Sequence, residues 1–208
     1  ASQNVVAIKI TPLRSEGKKT DSKESLAEQA FYCPLKHRNI LECYDFFADR
    51  ENAYLVTEYV EGYNLRHCIS GNAVSFADPQ RRLAHMMDTA QRVCEGMIYL
   101  HEQKIVHGQI KPENILLSKD LIGPFFPVHR KVKIADFTFS GLAKGFLHPS
   151  VRVKGGDARY MAPEQLTKKK ATFASDILSL GVTLYELCAG RHPWNGHSLS
   201  SKFRPPLP

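Results

Sequence analysis

Short runs of β-branched and aromatic residues predict strands in the first part of the chain. Asn4–Ile10 is one such run, and Ile40–Asp49 and Asn52–Val60 predict two further strands joined by a turn. Later in the chain, Asn114–Ser118 and Lys131–Phe137 predict two more short strands. Strands are therefore expected to dominate the first quarter of the chain.

Apolar residues recur at helical spacing in three longer segments. Ser25–Leu35 is rich in helix formers, and Arg82–Glu102 has apolar residues at the period of an α-helix. Ser175–Ala189 is apolar at most positions, which is typical of a buried helix. Because the strands largely precede the helices, we expect an α+β chain in two lobes, residues 1–60 and residues 61–208, that together form one domain.

The composition indicates a globular protein without a membrane-spanning or nucleic-acid-binding segment. The chain has 208 residues, 43% of them apolar, and a formal net charge of +7. No apolar run approaches the thickness of a bilayer, and no basic stripe is interleaved with aromatic residues. The basic residues are scattered, which favours solvated faces. An acidic partner, a phosphorylated protein or an anionic membrane is the alternative explanation of this charge.

Five cysteines stand at positions 33, 43, 68, 94 and 188, without the spacing of metal ligands. Most of them lie in apolar stretches, so we expect buried thiols and, by default, a reducing compartment such as the cytoplasm. One disulfide together with odd thiols is the alternative. Residues 1–11 have no signal-peptide pattern.

Six short motifs occur in a fixed order along the chain. They are "VAIK" ending at Lys9, a helical segment with Glu28, "HRNIL" from His37, "HGQIKPEN" over His107–Asn114, "DFT" over Asp136–Thr138, and "RYMAPE" ending at Glu164, before "SDILSLGVTLYEL". Over nearly the whole chain, this ordered set resembles the eukaryotic protein-kinase family in its serine/threonine-like branch. The resemblance implies a two-lobed protein-kinase-like fold. The first two strands and the late helices of that fold are not visible in this chain.

The resemblance implies a site for ATP with Mg²⁺. Lys9 would hold the α- and β-phosphates, and Glu28 would pair with Lys9. Asp136 and Asn114 would each hold a Mg²⁺ ion through an oxygen ligand, and Lys111 would face the γ-phosphate. Each of these residues by itself is a common surface, turn or capping residue, so the assignment rests on the ordered set.

The segment "VTEYVEG" resembles the hinge that binds adenine in this family. Thr57 would be the gatekeeper, and the backbone of Glu58 and Val60 would meet the adenine ring. These three residues complete the predicted nucleotide site.

Three positions in the catalytic loop and the metal-binding turn depart from the family pattern. Gln109 stands where active members have a catalytic Asp, and a neutral amide cannot accept a proton at physiological pH. It can still orient a hydroxyl by hydrogen bonding. Gly108 replaces the Arg that binds a phosphorylated activation loop. Thr138 replaces a Gly, so a stiffer turn is expected there.

The glycine-rich loop that precedes the lysine strand in the family is not visible before Lys9. Either this loop lies outside the chain or the protein lacks it. Secreted apicomplexan kinase-like proteins, some of them pseudokinases, lack that loop, and the chain resembles them in this respect. This second resemblance implies secretion in place of a cytoplasmic location.

Asp157 stands where the family usually has Thr, near the catalytic loop. One interpretation is a structural ion pair with Lys111 that replaces a lost Asp–Lys contact. The other is a relocated base that takes the role lost at Gln109. Substitution of Asp157 by Asn distinguishes them, because the first predicts lower stability and the second predicts loss of transfer.

These departures predict a pseudokinase. We expect a protein that is not an enzyme and has no regular catalytic residue, but acts as an interaction or allosteric scaffold. Its partner would be a protein, such as an active kinase or a substrate of that kinase. The alternatives are an atypical serine/threonine kinase that transfers the γ-phosphate of ATP to protein, and a switch that binds ATP without transfer.

Overall fold

The computed structural model describes residues 5–12, 33–71, 79–118, 131–136, 150–152, 157–168 and 170–194. In these ranges the chain forms, in order, strands β1 (Val6–Pro12), β2 (Cys43–Ala48), β3 (Asn52–Glu58) and β4 (Gly62–Asn64), helices α1 (Leu65–Ile69) and α2 (Pro79–Glu102), a 3₁₀ turn (Pro112–Asn114), strands β5 (Ile115–Ser118), β6 (Val132–Ile134) and β7 (Ser150–Arg152), helix α3 (Pro163–Lys168), strand β8 (Lys170–Thr172) and helix α4 (Phe173–Ala189). A β-sheet part precedes a mainly helical part, which confirms the predicted α+β class.

The first sheet is antiparallel and has the strand order β1-β3-β2. In the central strand β3, the alternate residues Ala53, Leu55 and Thr57 are buried, because successive side chains of a strand point to opposite faces. Lys9 on β1 pairs with Leu55. Directly opposed residues share a face of the sheet, so Lys9 lies on the same face as the buried Leu55.

The second sheet has the order β4-β5-β6, and its strands β5 and β6 lie in the interior. Its strands β5 and β6 are antiparallel, with Ile115 opposite Ile134. Ile115, Leu117, Val132 and Ile134 are fully buried. Because β5 and β6 are antiparallel, Asn114, which precedes β5, and Asp136, which follows β6, lie at the same edge of the sheet.

Helix α2 packs against β6 through a glycine. Val93, Met97 and Leu100 recur at intervals of four and three residues and are fully buried. On the same helix, a Cβ atom at Gly96 would lie 2.7 Å from Ile134 Cδ1 and 3.1 Å from the carbonyl oxygen of Asn39. The helix therefore approaches this strand more closely than any other residue at position 96 allows.

Local hydrogen bonds define both ends of helix α4. The Thr172 side chain accepts from the backbone N–H of Ser175, and the Ser175 hydroxyl accepts from that of Thr172, which forms a capping box. At the other end, Gly190 has φ +69° and its N–H donates to Glu186 O at 2.9 Å. This fixed frame positions Asp176 and Glu186, two acidic residues whose side chains are buried.

The first sheet is joined to the rest of the molecule through β6. Ile134 N donates to Asn39 O and Leu41 N donates to Ile134 O, both at 2.9 Å. Lys133 Nζ contacts Glu58 Oε1 at 2.5 Å, and the Glu58 side chain is only 8% exposed. We call this ion pair the Glu58–Lys133 clasp, because it ties the end of β3 to β6.

The structure settles the prediction about the cysteines and leaves two other predictions untested. Cys33 and Cys43 form a disulfide with a Cα–Cα distance of 4.5 Å, so the alternative of one disulfide with odd thiols holds. The predicted helix Ser25–Leu35 lies mostly outside the described residues, and Cys33 and Pro34 form a turn. The division into lobes at residue 60 stays a prediction.

No helix in the described ranges is both long enough and apolar enough to span a membrane.

Candidate functional site

Lys9 and Asp136 form an ion pair between the first sheet and the end of β6. Both side chains are about half exposed, at 57% and 48%. Asp136 has φ +59°, a left-handed conformation that Asp adopts more readily than most residues with a side chain. The predicted partner of Lys9, Glu28, lies outside the described residues, so that pairing stays a prediction.

Asn114 lies beside Asp136 because β5 and β6 are paired. Ala135 N donates to Asn114 O at 2.9 Å, and Asn114 Nδ2 donates to Gln109 O at 2.8 Å. Asn114 is 5% exposed and so is held firmly. An amide oxygen and a carboxylate at one sheet edge are hard ligands of the kind that Mg²⁺ prefers.

The donor set at this edge fits a Mg²⁺ ion bound together with phosphate. Among the described residues, no three His, Cys, Asp or Glu side chains form a cluster that could hold a metal. Mg²⁺ does not need such a cluster, because it keeps several waters and is commonly bound by one or two protein oxygens plus phosphates. Asn114 and Asp136 would supply the protein oxygens.

The predicted hinge residues lie at the end of β3. Thr57 is buried and its hydroxyl donates to Glu58 O at 3.2 Å. Glu58 N donates to Glu42 O at 2.9 Å, and Glu58 Oε1 accepts from Glu42 N at 3.0 Å. Val60 follows and is half-buried. The Glu58–Lys133 clasp therefore fixes the segment that the sequence assigned to adenine.

Asp176 holds the backbone of the loop before Gln109. Its side chain is 1% exposed, and its two oxygens accept the N–H groups of His107 and Gly108, both at 2.8 Å. Oδ2 also lies 3.0 Å from His101 Nε2. Gly108 has φ +78°, so glycine here avoids the steric cost that a side chain brings to the left-handed region.

Gln109, Lys111 and Asp157 line one small recess with a volume of about 10 Å³. We call it the Gln109 recess. Tyr160, Gln165 and Ser179 also contribute to its wall. The structure thus brings together Gln109, Lys111 and Asp157, as either interpretation of Asp157 from the sequence requires.

Asp157 forms its ion pair with Arg159, which the sequence reasoning did not identify. Arg159 Nε lies 2.9 Å from Oδ1 and Nη2 lies 2.5 Å from Oδ2. Hydrogen bonds from Arg159 lower the pKa of Asp157 against the opposing effect of burial, and the charge of Lys111 lowers the pKa further. Asp157 is therefore ionised at neutral pH. The spacing of two residues carries no signal of this pair, because only the turn at 158–160 brings the side chains together.

The hydrogen bonds around His107 require the neutral form of its ring. Its Nε2–H donates to Ala135 O at 3.1 Å, and its Nδ1 accepts the N–H of Gln109 at 3.1 Å. A second proton on the ring would therefore point at a donor. Burial lowers the pKa of His107 below the ordinary value for histidine, against the attraction of Asp176.

We predict that acid destabilises the protein through His107. In the unfolded chain His107 has a pKa of about 6.5, so below this pH it binds a proton that it does not bind in the folded protein. The free energy of unfolding therefore falls as the pH falls, by up to about 1.4 kcal/mol per pH unit. Chemical denaturation at pH 7.5 and pH 5.5 measures this. His107→Gln is the matched control, since it cannot titrate. An equal loss in that variant would contradict the prediction.

The comparisons with known proteins agree on one family. The profile of the family described as "Protein kinase domain" matches residues 1–205. The serine/threonine-protein kinase PLK4 of Xenopus laevis is 32% identical over 91% of this chain and 18% of its own length. Aurora kinase C of Mus musculus is 31% identical over 96% of the chain and 66% of its own length. The inactive serine/threonine-protein kinase PLK5 of Mus musculus is 30% identical over 96% of the chain and 31% of its own length. The chain thus spans at most about two thirds of the length of each of these relatives.

The prediction that the chain is not an enzyme is wrong on these findings. The matching family and the relatives named as kinases, with PLK4 and Aurora kinase C among them, point to an enzyme, even though one relative is named inactive. The kinase-like fold and the serine/threonine-kinase-like sequence are confirmed. The resemblance to secreted apicomplexan proteins stays a prediction.

Proposed function

The chain belongs to the protein kinase family, and on this premise we propose that it is an atypical serine/threonine protein kinase. It transfers the γ-phosphate of ATP to a hydroxyl group of a protein substrate. The observation that carries the proposal is the recess in which an ionised carboxylate, Asp157, lies with Lys111 beside the degenerate Gln109.

The phosphate end of ATP would bind at the edge where β1, β5 and β6 meet. Lys9 pairs with Asp136, Lys111 directly precedes the 3₁₀ turn that carries Asn114, and Asn114 and Asp136 offer the oxygens for Mg²⁺. Bound Mg²⁺ would neutralise charge on the phosphates. Adenine would lie along Thr57–Val60, which the Glu58–Lys133 clasp holds in place.

Phosphoryl transfer depends mostly on positioning and charge neutralisation, so loss of one carboxylate does not remove its physical basis. A bond forms between the substrate oxygen and the γ-phosphorus, the bond from that phosphorus to the bridging oxygen breaks, and ADP leaves. The hydroxyl proton passes to Asp157. Gln109 orients the hydroxyl by hydrogen bonding.

Arg159 occupies both oxygens of Asp157. Its guanidinium makes three hydrogen bonds to them and its backbone N–H makes a fourth, so the proton has to displace one of these hydrogen bonds. The low pKa of Asp157 makes it a weak base, and a moderate rate is the expected consequence. Its advantage is that it stays ionised throughout the physiological range.

Calorimetric titration with ATP, with and without Mg²⁺, tests the nucleotide site. We expect Mg²⁺ to tighten ATP binding at least about tenfold in the wild type, and Asp136→Asn to remove this gain because the main metal oxygen loses its charge. A matched control is Asp88→Asn, which changes an exposed acidic residue that pairs with Arg92 on α2. Equal Mg²⁺ dependence in the wild type and Asp136→Asn would contradict the site.

Phosphate incorporation into a mixed serine and threonine peptide library tests transfer itself. The wild type is expected to label both peptide classes when ATP and Mg²⁺ saturate the protein. Binding without any incorporation would overturn the kinase proposal and would leave a nucleotide-binding switch.

A further inference from the structure

Arg66 on α1 connects three separate segments of the C-terminal part. Its Nε lies 2.8 Å from Glu113 Oε1, and its Nη1 and Nη2 lie 2.5 Å and 3.0 Å from the two carboxylate oxygens of Glu186. Nη2 also donates to the Tyr160 hydroxyl, which in turn donates to Glu186 Oε2 at 2.5 Å. We call these four side chains the Arg66 cluster.

Two partners of Arg66 are close in sequence to a residue of the proposed site, and the third lies on the helix that supports the loop before Gln109. Glu113 lies in the 3₁₀ turn between Lys111 and Asn114. Tyr160 follows Asp157 by three residues and lines the Gln109 recess. Glu186 lies on α4, the helix whose first turn carries the Asp176 that holds the loop backbone. The Arg66 cluster therefore joins the two halves of the site.

The burial of the Arg66 cluster makes its hydrogen bonds strong and specific. The Glu186 side chain is 6% exposed and that of Arg66 is 25% exposed. Burial acts to raise the pKa of Glu186, but hydrogen bonds from Arg66 and Tyr160 outweigh it and lower the pKa. Arg66 and Glu186 are therefore both charged near neutral pH.

Glu113 depends on Arg66 for its orientation. Its Oε1 accepts from Arg66, whereas its Oε2 is buried and accepts no hydrogen bond from the residues that the structure describes. Loss of the guanidinium would leave this carboxylate without its anchor and opposite the negative charge of Glu186. The 3₁₀ turn would then lose its side-chain contact with Arg66, and the hydrogen bonds of Asn114 to Gln109 and Ala135 would be left to hold it.

We propose that Arg66 is a positioning residue that sets the placement of Lys111 and Asn114 relative to Asp157. This inference rests on the proposed function and adds a residue that touches neither ATP nor substrate. Only a planar guanidinium has the fork of donors that reaches three partners on different segments at once. A lysine at this position keeps the charge but loses that geometry.

Arg66→Lys and Arg66→Gln test the inference, with Arg38→Lys and Arg38→Gln as matched controls. Arg38 also pairs with a glutamate, at 2.7 Å from Glu95, but its side chain is 69% exposed and lies on another part of the surface. We expect Arg66→Lys to lower kcat by roughly 10- to 100-fold with little change in the KM for ATP, because misplacement by about 1 Å costs this much. The Arg38 variants keep the wild-type kcat.

Hydrogen–deuterium exchange separates positioning from general stability and does not depend on activity. In Arg66→Lys, peptides covering 107–118 and 157–168 are expected to exchange faster, while a peptide covering β2 and β3 stays as in the wild type. Uniformly faster exchange, or an unchanged kcat with local protection intact, would overturn the proposal. If the wild type transfers no phosphate, the proposed function fails and the exchange pattern still decides the role of Arg66. If Arg66→Gln does not fold, the results for Arg66→Lys alone decide whether Arg66 is a positioning residue.

Discussion

Replacement of Asp157 by Asn is expected to reduce kcat for peptide phosphorylation by roughly 10²- to 10⁴-fold, the usual contribution of a positioned acid or base. Asn has the same shape and still accepts one hydrogen bond from Arg159, so the turn at 158–160 is expected to persist. Only the negative charge and the ability to accept a proton are lost. The affinity for ATP with Mg²⁺ is expected to stay the same, because Asp157 is not among the proposed nucleotide ligands.

Arg159→Gln is the control that separates chemistry from stability. It breaks the same ion pair but leaves the Asp157 carboxylate in the Gln109 recess. Because Arg159 lowers the pKa of Asp157, its removal is expected to raise that pKa and to move the acid limb of the rate–pH profile to higher pH. Comparable stability losses in both variants, with kcat reduced only in Asp157→Asn, would establish the relocated base. Full activity in Asp157→Asn would leave Asp157 as a structural ion-pair partner.

Gln109→Asp provides the complementary test. A carboxylate there would stand in the same recess as Asp157, so it is expected to restore transfer to the Asp157→Asn protein. Failure to restore any activity would argue that Asp157 has no chemical role at this site.

Replacement of Asp176 by Ala is expected to destabilise the protein by about 3 to 5 kcal/mol, the range for removing one partner of a buried charge network. Three donors lose their acceptor at once, because Asp176 contacts the N–H groups of His107 and Gly108 and the ring of His101. Burial leaves no water to replace it. Urea denaturation measures the loss as a lower midpoint with an unchanged slope.

Asp88→Ala is the matched comparison for this loss. Asp88 pairs with Arg92 at 2.8 Å one turn along α2, but its side chain is 37% exposed, so its removal is expected to cost below about 0.5 kcal/mol. A similar loss in both variants would show that the three buried hydrogen bonds of Asp176 contribute little.

The order of the motifs predicted most of the placements in the candidate site. The residue patterns correctly placed Lys9 on a strand, because local propensity is consistent with the fold there. Asn114 and Asp136 were predicted within strands but lie just outside β5 and β6. The helix predicted for Arg82–Glu102 is α2, which begins three residues earlier. Boundaries shift because the end of a helix depends on neighbours that the local pattern does not contain.

The pattern of residues along the sequence could not predict contacts between distant segments. Arg66 and Glu186 are 120 positions apart, and neither stands out in the sequence as anything but a charged helical residue. The disulfide between Cys33 and Cys43 was equally hidden, since cysteine spacing does not show which sulfurs meet.

The wrong prediction about enzymatic activity came from interpreting the replacements at Gly108, Gln109 and Thr138, with no glycine-rich loop visible before Lys9, as loss of function. The loss of a carboxylate from one place in the sequence says nothing about which carboxylates the fold brings to the same place in space. Asp157 lies 48 positions after Gln109 and lines the same recess. Chemistry depends on where a charge is held, whereas a motif records only the segment that usually holds it.

The Glu58–Lys133 clasp has a consequence for how the protein responds to salt. At 1 M salt the screening length is about 3 Å, so ions weaken contacts between exposed charges. Lys36–Glu42 and Arg38–Glu95 are of that exposed kind. Both side chains of the clasp are at least nine-tenths buried, at 10% and 8% exposure, and mobile ions do not reach between them. The contact between the end of β3 and β6 is therefore expected to be indifferent to ionic strength, while the half-exposed Lys9–Asp136 pair between β1 and the end of β6 is expected to weaken.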